Sequence, residues 1–443
     1  MNFNSVKINS FVGKSLIGRT FSTLTTWLCI WAFISVLLYI KIPSASTKIY
    51  AEDGLALQTA LEKSFPNDFL LPYAGYLDIV WRSGGRIAAL FPLQDAAQTI
   101  FLFNTFMLTW IAITIYRASS EIIHHRISRL VLSLSLILLP IAGFESIANS
   151  TNLHFFFMSA CLPIFLRKNL KGSDSYQFPL FILVATLSTP LMIFYFPLIV
   201  FLRRSLGSPR WYRKPNLVES AWFMGILIQV IFISTRAFGD RTSSGVNSIA
   251  KSSFLYLDRV VGSTFFPGWG DVSKTTQSIA PDLFSTQIYL VLRAALALII
   301  LFLFVLYLFN ASRENTELRV LATGVLLTGL FYWFVVGVFF NPEPRYAIFP
   351  SFGMLLVLLL IQGTNSGPKM LKLHQRVLII LIFLTWVGSW SPSMLRVSGP
   401  TWSDEFKQAQ AKCLTGVAGV RIPIIPTNLD WYVDISCEKL LST

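Results

Sequence analysis

The sequence predicts an all-α polytopic membrane protein of about eleven transmembrane or partly penetrating helices, ending in a small α/β tail. Three observations predict it. Of 443 residues, 54% are hydrophobic and only 13% charged, with a mean hydropathy of +0.61; a soluble domain would carry roughly twice that share of charge. Apolar stretches of about 18 or more residues recur, matching the thickness of a bilayer core. The basic residues behind the net charge of +14 fall in short clusters between these stretches, not along one face or groove. That is the bias toward cytoplasmic Lys and Arg. It suits contact with membrane lipid and argues against a nucleic-acid partner.

Lys7, Lys14 and Arg19 precede an apolar run from about Ser22 to Ile42. Pro43-Ser44-Ala45-Ser46 loosely resembles a cleavage site, but the run exceeds the roughly 7–15 residues of a signal-peptide core, so a retained first helix is expected. It leads outward and leaves 42–95 as a first extracytoplasmic loop. A span of about Ala96–Tyr116 returns to Arg117, His124, His125, Arg126 and Arg129.

Two short pairs follow: Leu130–Ala142 with Leu153–Leu166, and Phe178–Leu187 with Leu191–Leu202. Each ends in a basic cluster, at Arg167, Lys168 and Lys171, and at Arg203, Arg204 and Arg210. Runs of roughly 10–14 residues are too short for a core of about 30 Å at 1.5 Å per residue. Partly penetrating hairpins are therefore expected, leaving a recess open to the outer face and lined by the polar tip Glu145–Asn152. Fusing Phe178–Leu202 into one helix kinked at Pro190 and Pro197 is the alternative, and would invert everything downstream.

The span Val218–Phe238 leads to a second large outer loop, 239–285. Its aromatics, such as Phe265, Phe266 and Trp269, suit either sugar faces or anchoring at the interface. Spans of about Gln287–Phe309, Leu318–Phe340 and Tyr346–Ile361 then alternate, with Arg313 and Arg319 inside and Asn341–Arg345 outside. A last span, about Val377–Trp390, completes a transmembrane domain of 1–390 with a cytoplasmic N-terminus.

In the extracytoplasmic tail, 391–443, Thr401–Phe406 opens an amphipathic helix with Trp402, Phe406, Ala409 and Cys413 on one side. Strand-like runs Val420–Ile425 and Trp431–Ile435 follow. Outside the cytoplasm Cys413 and Cys437 are expected to pair, adding about 3 kcal/mol to a tail too small for a good core. A lid or brace is the expected role.

The first outer loop is the most unusual segment. Glu52-Asp53-Gly54 heads an amphipathic stretch, and Ile79–Leu90 forms a second with Arg82 and Arg86 one turn apart. Two surface helices joined by a Pro/aromatic/Gly turn are expected. Glu52 and Asp53 read either as a general base with its partner or as helix-start acids, with Asp53 a cap. Arg82 and Arg86 could hold a phosphate or snorkel to headgroups. Arg293, roughly two turns into a span, either faces the cavity or snorkels outward. His154 reads as an interfacial histidine. The sparse histidines and absent Cys cluster argue against zinc.

Four features together resemble the C-type glycosyltransferase superfold (GT-C), membrane enzymes that take a sugar from a polyprenyl-phosphate carrier on the outer face. They are Glu52-Asp53-Gly54 after the first helix, two helices in that loop, Asn341–Pro350 with Arg345-Tyr346 opening a late helix, and an extracytoplasmic tail. The resemblance implies a GT-C-like fold in a bacterial inner (plasma) membrane, a polyprenyl-phosphate-linked sugar donor, and an envelope glycan or protein acceptor. It implies that Asp53 or Glu52, with Asp53 favoured, deprotonates the acceptor hydroxyl. It implies that Arg345 with Tyr346, and with them Arg82, Arg86, Arg241, Arg259 or Arg293, grip the carrier phosphate. Single displacement needs one base, and no Asp-x-Asp pair occurs, so no metal or other cofactor is expected. Rival readings are a polysaccharide or lipid-linked sugar transporter or flippase, an O-antigen-type polymerase, and a noncatalytic scaffold.

Overall fold

The computed structural model describes residues 11–139, 141–142, 146–205, 215–235, 248–265, 286–313, 315–339, 343–362, 377, 380, 382–384, 386–387 and 398–442. The chain is mostly helical. The helices are α1 (Phe11–Lys41), α2 (Glu52–Glu62), α3 (Ile79–Ala89), α4 (Ala96–Ala118), α5 (Arg126–Leu138), α6 (Leu153–Phe165), α7 (Asp174–Ser188), α8 (Tyr195–Ser205) and α9 (Leu217–Thr235). Then come α10 (Ile249–Leu255) with a π-helical turn Tyr256–Gly262, α11 (Thr286–Ala311), α12 (Thr316–Phe339) and α13 (Ile348–Gln362). The tail holds α14 (Trp402–Cys413), β1 (Gly419–Pro423), β2 (Tyr432–Ser436) and α15 (Cys437–Leu441).

Among the described residues, five helical segments are long and apolar enough to cross a membrane: Leu24–Lys41, Leu93–Glu121, Leu217–Thr235, Thr316–Phe339 and Pro344–Gln362. The bent pair Asp174–Ser188 and Pro190–Ser205 would make a sixth. That is fewer than the expected number of crossings. The difference lies in the short runs: α5 and α6, with 13 residues each, reach only about 20 Å. α11 is 26 residues long and carries the apolar stretch Ala294–Asn310, and the last expected span is described at only a few positions. The chain turns through 118° between α7 and its successor. Such a bend fits either a broken span or a re-entrant hairpin.

Burial separates centre from rim. In α13 83% of the span is buried within the protein, against 11% in α1 and 22% in α9. α13 is thus the axis of the bundle, and α1 and α9 present their leucines, isoleucines and phenylalanines outward.

Charges gather at the two ends. At one, Arg117 bonds Ser173 and pairs with Asp174, while Arg167 reaches Glu121 (3.4 Å) and Asp174 (3.3 Å). Lys168 meets Glu317 at 2.5 Å, and the Ser128 hydroxyl donates to Gln362 Oε1 at 3.0 Å. The basic residues Arg117, Arg167 and Lys168 thus meet at one end of the bundle. The opposite end holds the first loop, the Ser146–Asn152 tip, the turn before α13 and the tail.

The tail forms as expected. Cys413 and Cys437 are disulfide-bonded, with Cα atoms 5.3 Å apart, and β1 pairs antiparallel with β2 in the register Val420 to Ile435 and Ile422 to Val433. Ile422, Ile424, Val433 and Ile435 join Trp402, Phe406 and Leu57 in a small apolar core separate from that of the bundle. The tail is tied back by Trp402, whose backbone N–H donates to Thr47 O (2.8 Å) and indole N–H to Leu93 O (2.6 Å).

Candidate functional site

The site begins where the tail meets the first loop. Tyr50 and Ile425 form a parallel bridge: Ala51 N–H donates to Ile425 O (2.6 Å) and Ile425 N–H to Ile49 O (3.2 Å). Ala51, at φ 43°, is held by this clamp in a conformation that L residues avoid. Immediately after it α2 starts, and its first three residues face three ways. Glu52 is half-buried and accepts from the Tyr73 hydroxyl at 3.2 Å. Asp53 turns inward and is 2% exposed. Gly54 lies under the tail, where a Cβ would come within 2.3 Å of Ile424 Cδ1 and 2.9 Å of Val433 Cγ2. A close approach also sets the neighbouring helix: a Cβ on Gly85 of α3 would sit 2.3 Å from the Ala56 carbonyl carbon.

Asp53 does not cap its own helix; the N-cap of α2 is Ala51, which makes no side-chain cap bond. Its carboxylate instead reaches the Ser146–Asn152 tip. Oδ1 accepts the Ser150 N–H at 3.1 Å and the Ser150 hydroxyl, and Oδ2 lies 3.4 Å from the same N–H. A carboxylate at the start of the turn leading into α6 faces the N–H groups that the helix leaves without intrahelical partners. The polar tip is deeply buried, with Ser146, Asn149, Ser150, Thr151 and Asn152 each at most 4% exposed. Ser146 Oγ, Asn149 Nδ2, Thr151 Oγ1 and Asn152 Nδ2 find no hydrogen-bond partner among the described residues.

Next to it sits a group that the sequence reading passed over. Asp78 is 1% exposed and caps α3 by accepting the Trp81 N–H at 3.1 Å. Its Oδ2 has no hydrogen-bond partner among the described residues and lies 3.8 Å from His154 Nδ1. That nitrogen is 2.6 Å from Thr151 O, which fixes it as the protonated one. Burial pushes the Asp78 carboxyl well above the usual carboxylate range; the Trp81 N–H and Arg82 oppose the rise, and the nearby charge of Asp53 adds to it. In the sequence Asp78 offers only an N-cap signature before Ile79-Val80, and His154 reads as a bland interfacial residue.

Arg82 and Arg86 share a helix face but have different partners. Arg86 is ion-paired with Asp68 at 2.7 Å and donates to Lys63 O at 2.7 Å, bracing the loop between α2 and α3. Arg82, 5% exposed, lies over the Trp81 ring at 4.2 Å and donates once, from Nη2 to Leu71 O at 3.3 Å. Its Nε and Nη1 have no partner among the described residues. Desolvation pulls its pKa down to about 10, with Asp78 and Asp68 opposing. It remains a cation near neutral pH, with two donors, Nε and Nη1, that no described residue uses.

The late arginines form a second group. Pro344–Ala347 makes a 3₁₀ turn into α13, and within it Arg345 pairs with Glu343. Arg259, on the π-helical turn, is electrostatically coupled to Asp258 and Glu343. Tyr346 links this group to the first: its ring meets Phe155 edge-on at 5.2 Å, and the Phe155 ring lies tilted against that of His154 at 4.1 Å. The fold thus joins Asp53, Asp78, Arg82, Arg259, Arg345 and Tyr346 through contiguous contacts. Arg86 is committed to Asp68, whereas Arg241 and the side chain of Arg293 lie outside the described residues. Among the described residues no group of three or more His, Cys, Asp or Glu could hold a metal ion. No protein-family model matches the chain, and neither does any curated protein.

Proposed function

We propose that the protein is a membrane glycosyltransferase that moves a hexose or pentose from a polyprenyl-phosphate carrier to a cell-envelope glycan or protein. The observation that carries this reading is a buried carboxylate, Asp53, on α2 and, on the adjoining α3, a buried guanidinium, Arg82, that keeps two donors unused. Transfer of a sugar from a phosphate needs these two functions. The acceptor oxygen attacks the anomeric carbon while its proton passes to Asp53, and the bond from that carbon to the phosphate oxygen breaks. The carrier phosphate leaves as an anion toward Arg82 and the Arg259–Arg345 group, whose fixed charge favours its departure. A positioned base supplies about 10²- to 10⁴-fold in rate. In this reading the Asp53 end of the bundle is extracytoplasmic and the Arg117–Arg167 end cytoplasmic, in keeping with the positive-inside bias and with the disulfide in the tail.

Purified protein given polyprenyl-phosphate sugars and an envelope acceptor tests it. Asp53→Asn keeps an oxygen to accept from Ser150, so the fold is retained while transfer falls by at least about 10²-fold. Wild-type-like transfer in both Asp53→Asn and Glu52→Gln sinks the base assignment. Movement of a lipid-linked sugar across proteoliposomes with no new glycosidic bond would replace the enzyme by a flippase.

A further inference from the structure

The residues on either side of Asp78 are fastened to the membrane helices. Gln229 lies about three turns into α9, a candidate membrane span, and is only 1% exposed. Its Oε1 accepts the Leu77 N–H at 3.1 Å, and its Nε2 donates to Leu77 O at 2.8 Å and Thr186 O at 3.0 Å. One carboxamide therefore pairs with both polar groups of a single backbone residue, as a neighbouring β-strand would. On the other side of Asp78, the Val80 N–H donates at 3.3 Å to the Ser188 hydroxyl, which itself donates to Val184 O at 2.8 Å. Leu77 and Val80 are thus pinned by side chains from α9 and α7.

A buried amide within a membrane span is costly unless its hydrogen bonds are made, and a leucine would fill the space without that cost. The bonds Gln229 makes reach outside its own helix, to the loop residue before Asp78 and to the carbonyl of Thr186 on α7. Asp78, placed between the two pins, faces Trp81 N–H and Arg82 on its own helix, His154 from α6, and Asp53 from α2. We propose that Gln229 is a positioning residue: with Ser188 it sets the Asp78 carboxyl against His154 and Asp53, so that helices α7 and α9 fix the geometry of the transfer site from within the membrane. The proposal deepens the reading of that site as the transfer centre and rests on it.

Full-length protein in lipid nanodiscs is compared as wild type, Gln229→Leu, Gln229→Glu and Ser188→Ala, with Ser234→Ala, exposed on the same helix, as control. Amide hydrogen exchange over Leu77–Trp81 is expected to quicken by about tenfold in Gln229→Leu, as the two bonds there open. Exchange in β1 and β2 and the unfolding temperature stay as in wild type. Gln229→Glu, which keeps the acceptor for Leu77 N–H, falls between the two, and this graded response serves if the leucine variant folds poorly. In the transfer assay kcat falls about tenfold or more with KM for the lipid-linked sugar unchanged, since small misplacements act on the reacting geometry. Unchanged exchange over Leu77–Trp81 overturns the pin, and quickened exchange with wild-type kcat overturns the positioning role. Wild-type protein that transfers no sugar but shows the expected exchange pattern removes the transfer reading while supporting the anchoring of Asp78.

Discussion

Replacing Gly54 by Ala tests whether the tail is seated directly on the acidic turn. The added methyl would lie 2.3 Å from Ile424 Cδ1 and 2.9 Å from Val433 Cγ2, well inside the contact distance of about 3.5–4.0 Å. Overpacking of this kind costs about 1–3 kcal/mol, and the better helix propensity of Ala offsets about 0.5–1 kcal/mol of it. A net loss of about 1–2 kcal/mol is expected. Ile424→Val removes the offending Cδ1 and alone costs about 0.5–1.5 kcal/mol. Together the two changes compensate, because the next Ile424 atom, Cγ1, stands at an ordinary 3.7 Å from the new methyl. Val433 stays close, so the rescue is partial, and the double variant should be about 1 kcal/mol more stable than the sum of the single losses. Thermal unfolding in detergent, with limited proteolysis of the tail, measures this. Losses that add within about 0.3–0.5 kcal/mol, or a Gly54→Ala protein as stable as wild type, would refute the seating.

Opening the disulfide by Cys413→Ser and Cys437→Ser, whose residues are 24 apart, should cost about 3 kcal/mol and free the tail for proteolysis; equal resistance with and without the bridge would rule out a brace. Asp78 supplies a pH signature. Its folded pKa lies above its unfolded one, so the stability linked to it is full below the ordinary value of 3.8 and is lost as pH rises through the folded value. The unfolding temperature of wild type relative to Asp78→Asn is therefore expected to decline with rising pH, and a difference independent of pH would contradict the upward shift caused by burial.

Several elements were legible because they rest on local patterns. Apolar runs broken by Lys and Arg clusters gave the helices and their common end, where Arg117, Arg167 and Lys168 meet Asp174 and Glu317. The amphipathic helix and alternating strand of the tail followed from periodicities of 3.6 and 2. Glu52-Asp53-Gly54 stood out as acid beside a membrane. The number of spans was less legible, since hairpins and crossings share the same composition and differ only in how far α5 to α8 penetrate. Asp78 was passed over, and His154 read only as an interfacial histidine, because a lone capping acid and a lone histidine carry no local mark of what they face.

The sequence by itself determined a mostly helical chain with several helices apolar enough to cross a membrane and a disulfide-bonded tail, because hydropathy, charge placement and period act over a few turns. Only the tertiary structure decided what the acidic turn meets. Asp53 meets Ser150 across 97 residues and Leu77 meets Gln229 across 152. The physical reason is that buried polar groups must find partners wherever the fold provides them. Such partners are set by the packing of helices against one another, a quantity no local window of residues contains.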